Sequence, residues 1–175
     1  MVFIREGPFY DSEYNIYFKE FTSLTLSNFQ KWAIKAIIDG NNAIITAPTG
    51  SGKKLPTEFM IHHFLQSPLK QTSKRKKIIY TSPTKSHSNK IFCDMRKRFP
   101  DISIGLLTED YKNNKDADVI IMTIEILKNT LFNKKLKDST EKYVPLQFDI
   151  DICSEVAGII FDKISYVTHP ELGPI

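Results

Sequence analysis

Ala47-Pro48-Thr49-Gly50-Ser51-Gly52-Lys53-Lys54 is the stretch on which the reading of this chain turns. A short apolar run, Ala43-Ile44-Ile45-Thr46, precedes it, and a segment of helical period reaching Leu65 follows. Small residues between a strand and a helix let successive backbone N–H groups close on an anion. The helix N-terminus adds its positive dipole end, and a lysine there reaches terminal phosphates. Gly50, Ser51, Gly52 and Lys53 supply all of this, so the stretch predicts a phosphate-binding loop at the carboxyl end of a first strand. Pro56 fits only the first turn of the helix that follows.

Outward from the loop, short apolar runs alternate with helical-period segments, the pattern of βαβ units and a mainly parallel sheet. Five strands are expected: Ala43–Thr46, Ile78–Thr81, Ser103–Leu107, Val119–Met122 and Gly158–Phe161. Each is too apolar for a strand with one wet face, so helices should cover both faces of the sheet. The first helix opens at Ser27, where Ser27-Asn28-Phe29-Gln30 fits a capping box, and stops at Asp39 before Gly40, with Phe29, Ala33, Ala36 and Ile37 facing inward. Further helices are expected from the glycine turn to Leu65, from Ser86 to Phe99 and from Ile124 to Phe132.

The chain has 175 residues, 41% hydrophobic and 25% charged, which favours one packed domain and excludes global disorder, collagen-like repeats and coiled-coil rods. A net charge of +4 leans toward anionic partners without being a strongly basic signature. Cys93 and Cys153 form no CxxC pair, and no histidine stands at zinc-ligand spacing from them, so reduced thiols in an intracellular protein are expected and a structural metal is not. No run of 18 apolar residues and no leader-like start is present, so neither a membrane span nor a signal peptide is expected.

Five basic residues between Lys70 and Lys77, and the lysine-rich stretch from Asn133 to Gln147, read either as solvated loops or as nucleic-acid contacts. The aromatic group Phe3, Phe9, Tyr10, Tyr14, Tyr17, Phe18 and Phe21 reads as a packing flap or as a base-stacking platform. Of His62 and His63, one should face the sheet and one solvent. His87 and His169 have no carboxylate partner that the sequence identifies, so no histidine is assigned chemistry.

Six segments in order resemble the superfamily-two helicases, and among them the DExH group related to the superkiller RNA helicases. Phe29-Gln30 is similar to the Q motif that reads adenine, Ala47–Lys54 to motif I, and Thr81-Ser82-Pro83-Thr84-Lys85 to motif Ia on the nucleic-acid path. Gly105-Leu106-Leu107-Thr108-Glu109-Asp110 resembles motif Ib, and Met122–Asn129 resembles the Thr-Glu-Ile-Leu-Arg-Asn element. Ile159–Tyr166 stands where the family has its Walker B Asp-Glu-Val-His-Tyr. The resemblance implies a RecA-like α/β fold with five or more mainly parallel strands: residues 1–20 an aromatic-rich extension, residues 21–175 the first helicase domain, with no second RecA-like domain. It further implies that Gln30, Thr49, Gly50, Ser51, Gly52, Lys53, Lys54 and Asp162 line a site for ATP or ADP. Lys85, Asn89, Thr123 and Lys128 would then line the nucleic-acid face.

The departures fall on functional positions. Lys54 replaces the hydroxyl residue that ligates Mg²⁺ in the family, and an ammonium offers no lone pair and repels the metal. Asp162 is retained as a metal-holding Asp, but Lys163 stands where the water-activating Glu is expected. Ser165 replaces the family's His, Glu109 a glycine, and Thr168-His169-Pro170-Glu171-Leu172 an Asn-Asp-Pro-Asp-Arg run. Loss of a positioned base costs about 10²- to 10⁴-fold, and loss of the metal removes a further electrostatic contribution. The expectation is an impaired Mg²⁺ site, negligible hydrolysis and no unwinding by this chain alone. Nucleotide binding either survives on the added positive charge or is blocked by two lysines filling the cradle. Weak, sequence-independent nucleic-acid binding, or a protein partner on the face that a second RecA-like domain covers in the family, completes the expectation. The rivals are an ATPase completed by another chain and a ligand-free interaction module.

Overall fold

The three strands at the middle of the sheet are rich in aliphatic residues and buried at nearly every position, which needs cover on both faces. The computed structural model describes residues 3–67, 76–137 and 150–164. Two compact units divide the chain, Met1–Thr72 and Ser73–Ile175.

The second unit carries the sheet, in the order β3-β2-β4-β1-β5. Its strands are β1 (Lys77–Ser82), β2 (Ile104–Leu107), β3 (Lys112–Asn113), β4 (Val119–Thr123) and β5 (Val156–Phe161). β2, β4, β1 and β5 run parallel; only β3 is antiparallel, against β2. α4 (Lys85–Arg98) joins β1 to β2 and lies along β1, β2 and β4. α5 (Ile124–Lys137) follows β4 directly, and its Ile126 and Leu127 join Ile79, Leu107, Ile120 and Met122 in one apolar cluster. β4 is buried at all five positions, as strand burial on both faces requires. A short helix, α6 (Ile152–Glu155), capped by the Asp151 carboxylate on the Cys153 N–H, leads into β5.

The first unit is helical: a 3₁₀ turn (Ser12–Tyr14), α1 (Asn15–Phe21), α2 (Asn28–Ile38) and α3 (Lys54–Leu65). The Ser27–Gln30 capping box forms as expected, and Gly40 takes the left-handed conformation (φ 71°) that stops α2. Tyr14 and Phe18, with Phe9, Tyr17 and Phe21, pack with Leu26, Ile34 and Phe59, so these N-terminal aromatics form core here. Phe3 and Tyr10 remain exposed. The single tryptophan, Trp32, sits edge-on to Phe9 at 4.8 Å, with the Arg5 guanidinium 5.2 Å over its ring and its Nε1–H donating to the Gly7 carbonyl at 3.4 Å. Tyr14 donates to Asp39 at 2.6 Å and accepts from Lys35 at 2.6 Å, and Lys35 also pairs with Asp39 at 3.1 Å.

Two expectations are corrected. Ala43–Thr46 is not a strand: Ile44 is 81% exposed and the run makes no ladder. A strand is held by a neighbour's backbone, and among the described residues of the first unit no strand offers one. The fifth strand of the sheet is instead β3, whose polar Lys112-Asn113 carries no apolar signal and pairs through backbone groups alone. The buried stripe of α2 is Gln30, Ala33 and Ile34, rotated from the expected one, because Phe29 and Ala36 are only half-buried. Within the first unit His63 stacks on Phe59 at 5.4 Å and meets Tyr17 and Phe64 edge-on. Residues 68–75, 138–149 and 165–175 lie outside the described residues. With them go most of the Lys70–Lys77 run and of the Asn133–Gln147 stretch, and also Ser165, Tyr166, His169 and the Thr168–Leu172 segment.

Candidate nucleotide and nucleic-acid site

The glycine loop has closed on its own lysine. Lys53 donates to the carbonyls of Ala47 and Pro48, both at 2.6 Å, and Ser51 turns back on Pro48 through its hydroxyl (2.7 Å) and its N–H (3.3 Å). Gly50 and Gly52 take φ values of 82° and 84°, which L side chains rarely adopt, and α3 starts at once at Lys54. An anion entering the loop therefore gains the N-terminus of a twelve-residue helix but must draw Lys53 off two carbonyls. Gln30 is tied to the same loop: its Oε1 accepts from the Ser27 N–H at 2.9 Å and its Nε2 donates to the Gly52 carbonyl at 3.1 Å. Thr49 and Lys54 are exposed.

In the second unit, strand register gathers the other candidates. Thr81 is level with Phe161 on β5 and Met122 on β4, and Met122 with Leu107 on β2, so Asp162, Thr123 and the Thr108–Asp110 turn all follow the carboxyl ends of parallel neighbours. Open α/β sheets place their ligand crevices at that edge. Asp162 continues the ladder by donating its N–H to the Thr81 carbonyl at 3.0 Å. Its Oδ2 accepts from His87 Nε2 at 2.8 Å and from the Tyr80 hydroxyl at 3.2 Å. His87 thus has the carboxylate partner that the sequence did not identify. The two residues stand 75 positions apart, and only the β1–β5 pairing brings them together. Lys163 follows, exposed and in the left-handed region at φ 56°.

Lys85, at the start of α4, lies 2.7 Å from both Asp110 Oδ2 and Glu109 Oε2. The hydrogen bond to Asp110, seconded by that to Glu109, pushes its ammonium well above the ordinary lysine range. Asn89 and Lys128 are exposed on α4 and α5. Thr123 is buried, and its Oγ1 has no hydrogen-bond partner. The sequence reading missed Tyr80, His87 and the carboxylate pair on Lys85. Glu109 was visible as a charged residue at a glycine position, whereas the others depend on strand order.

Residues 27–167 match the DEAD/DEAH box helicase family model. The chain belongs to the DEAD/DEAH box helicase family. It is 33% identical over 150 residues to the DExH-box ATP-dependent RNA helicase DExH15 of Arabidopsis thaliana, covering 86% of this chain and 11% of that protein. The antiviral helicase SKI2 of Saccharomyces cerevisiae is 32% identical over 153 residues (86% and 10%), and the probable helicase HelY of Mycobacterium leprae 37% over 151 (86% and 14%). This helicase-family chain thus spans between a tenth and a seventh of those relatives' length. A hypothetical ATP-dependent RNA helicase from Sulfolobus tokodaii has the same fold at TM-score 0.56 and 17% identity, over 90% of this chain and 43% of that one.

ATP-dependent helicases imply Mg²⁺, and the residues here fit it poorly. Mg²⁺ demands an octahedral set of oxygens. The nearest counterpart, Asp162, already gives Oδ2 to two donors. No described helix is long and apolar enough to cross a membrane.

Proposed function

We propose that this helicase-family domain is a pseudo-ATPase, which engages phosphate-bearing ligands without efficient turnover. The observation that carries the reading is the pair at the Walker B position: Asp162 held by His87 and Tyr80, followed by a cationic Lys163 in a left-handed turn. An ammonium cannot take a proton from water, so no base is positioned there. Lys53, with Gly50, Ser51, Gly52 and exposed Thr49 and Lys54, is the anion-binding element, and Gln30 braces it. ATP or ADP would bind weakly, with little help from Mg²⁺.

Nucleic acid would meet Lys85, Asn89 and Lys128 along the carboxyl edge of the sheet, weakly and without sequence preference, since phosphate contacts carry no base information. Thr123 would join them only if its buried hydroxyl were uncovered. The second reading is a helicase subunit that is active only with a second domain or a partner chain. A third, a ligand-free module docking a protein partner, predicts no phosphate ligand at all. Calorimetric titration of ATP with and without Mg²⁺, followed by a phosphate-release assay with RNA, tests the proposal. Binding without release supports it. Release that disappears in Lys53→Ala would overturn it in favour of an active enzyme, and no binding at all would favour the ligand-free module.

A further inference from the structure

His87 and Tyr80 approach one oxygen of Asp162 from two elements that are each held in place. Tyr80 lies within β1 and is only 1% exposed, and Asp162 is locked to β1 through its own N–H and the Thr81 carbonyl. His87 is the third residue of α4, and its N–H is capped by Thr84 Oγ1 at 3.3 Å. The next residue, Ser88, bonds to Ser82 Oγ at 2.7 Å and to the Thr84 carbonyl at 3.1 Å, fastening the start of α4 to the end of β1. No side chain has to move for the three groups to meet.

We propose that His87, seconded by Tyr80, occupies the place of a divalent cation on Asp162, so that this carboxylate anchors the first turn of α4 instead of ligating a metal. The inference rests on the functional reading only in taking Asp162 as the metal-holding counterpart. An N–H donor at 2.8 Å from a carboxylate oxygen is a charge-assisted bond at its preferred length. With the phenol at 3.2 Å it gives Oδ2 two hydrogen-bond donors. A Mg²⁺ ion would need that oxygen about 2.1 Å away and keeps several of its waters. The cluster offers it a carboxylate whose Oδ2 is already bonded twice, on a side chain only 24% exposed. Imidazole and phenol thus supply from within the chain hydrogen bonds to an oxygen that a metal would otherwise ligate.

The test uses the full chain and Mn²⁺ as the probe, with bound metal read by electron paramagnetic resonance, alone and with ATP present. Wild type and Asp162→Asn should bind Mn²⁺ alike, whereas His87→Leu/Tyr80→Phe should bind it at least about tenfold more tightly. That gain should vanish when Asp162→Asn is added. If the double variant does not fold, His87→Ser, at a partly exposed position, carries the same comparison. Wild-type Mn²⁺ binding that is lost in Asp162→Asn would overturn the proposal, and so would no Asp162-dependent gain in the freed variant. Neither readout involves hydrolysis, so phosphate release by the wild type would sink the pseudo-ATPase reading while the metal comparison stood or fell separately.

Discussion

Gln30 and Gly52 fit each other with no space to spare: a β-carbon on Gly52 would come within 2.6 Å of Gln30 Nε2, the atom that donates to the Gly52 carbonyl. Gly50 has nearly the same backbone angle but nothing within 4 Å of its would-be β-carbon. Alanine at either position bears about 1–2 kcal/mol of left-handed strain. Gly52→Ala should also break the Gln30 bond and destabilise the first unit by about 1 kcal/mol more than Gly50→Ala. Denaturant melts of the two variants measure the difference, and equal losses would show that Gln30 simply swings aside.

Lys85 is neutralised by carboxylates of its own chain before any phosphate arrives. Glu109→Gln/Asp110→Asn should release it, raise affinity for a fluorescent single-stranded oligonucleotide and steepen the log-log salt dependence by about 0.7 for each additional phosphate neutralised. Lys85→Ala in that background should abolish the increase. An affinity indifferent to all three changes would remove Lys85 from the nucleic-acid face.

Thr123 keeps a buried hydroxyl that bonds to nothing, at a cost of roughly 1–3 kcal/mol. Thr123→Val keeps the shape and removes the orphan, so thermal stability should rise. If the hydroxyl is held in reserve for a sugar or phosphate, oligonucleotide affinity should fall in the same variant. Higher stability with affinity unchanged would assign Thr123 to packing alone.

The Tyr14–Asp39–Lys35 network should make the stability of the first unit depend on pH at both the acid and the alkaline end. The Tyr14 hydroxyl, and after it Lys35, hold the Asp39 carboxyl below its ordinary value of 3.8. That contribution is therefore fully present above about pH 4 and is lost as pH falls through the folded value. Tyr14 holds Lys35 above its ordinary 10.5, and the bond to Asp39 holds Tyr14 above 10.0, so their contributions are present below those values and are lost as pH rises past them. Chemical-denaturation midpoints should be flat from about pH 5 to about pH 9. Asp39→Asn should flatten the acid limb, and Tyr14→Phe should flatten both. An acid limb identical in wild type and Asp39→Asn would refute the assignment.

How far the sequence could be read follows from range. The Ser27–Gln30 box, the stop at Gly40 and the start of α3 are set within a few residues, and each stands where local chemistry puts it. Strand identity was legible wherever an apolar run ends in a buried sheet, as in β1, β2, β4 and β5. Ala43–Thr46 misled because a strand is a relation between segments, and apolar residues alone do not provide the neighbour. The same limit hid His87: its meeting with Asp162 is a product of the β1–β5 register, which no spacing in the chain encodes. Lys54 and Lys163 were legible because a changed charge at a motif position can be seen in one residue.

The position of Trp32 gives the two units different optical signatures. Tryptophan emission in this chain comes from one indole, seated between Phe9 and the Arg5 guanidinium in the first unit, while the sheet holds none. Fluorescence therefore reports the loss of the Arg5, Gly7 and Phe9 contacts with Trp32, whereas far-ultraviolet dichroism follows the backbone of both units together. A gap between the two melting curves would time one event against the other in a single sample, without labels.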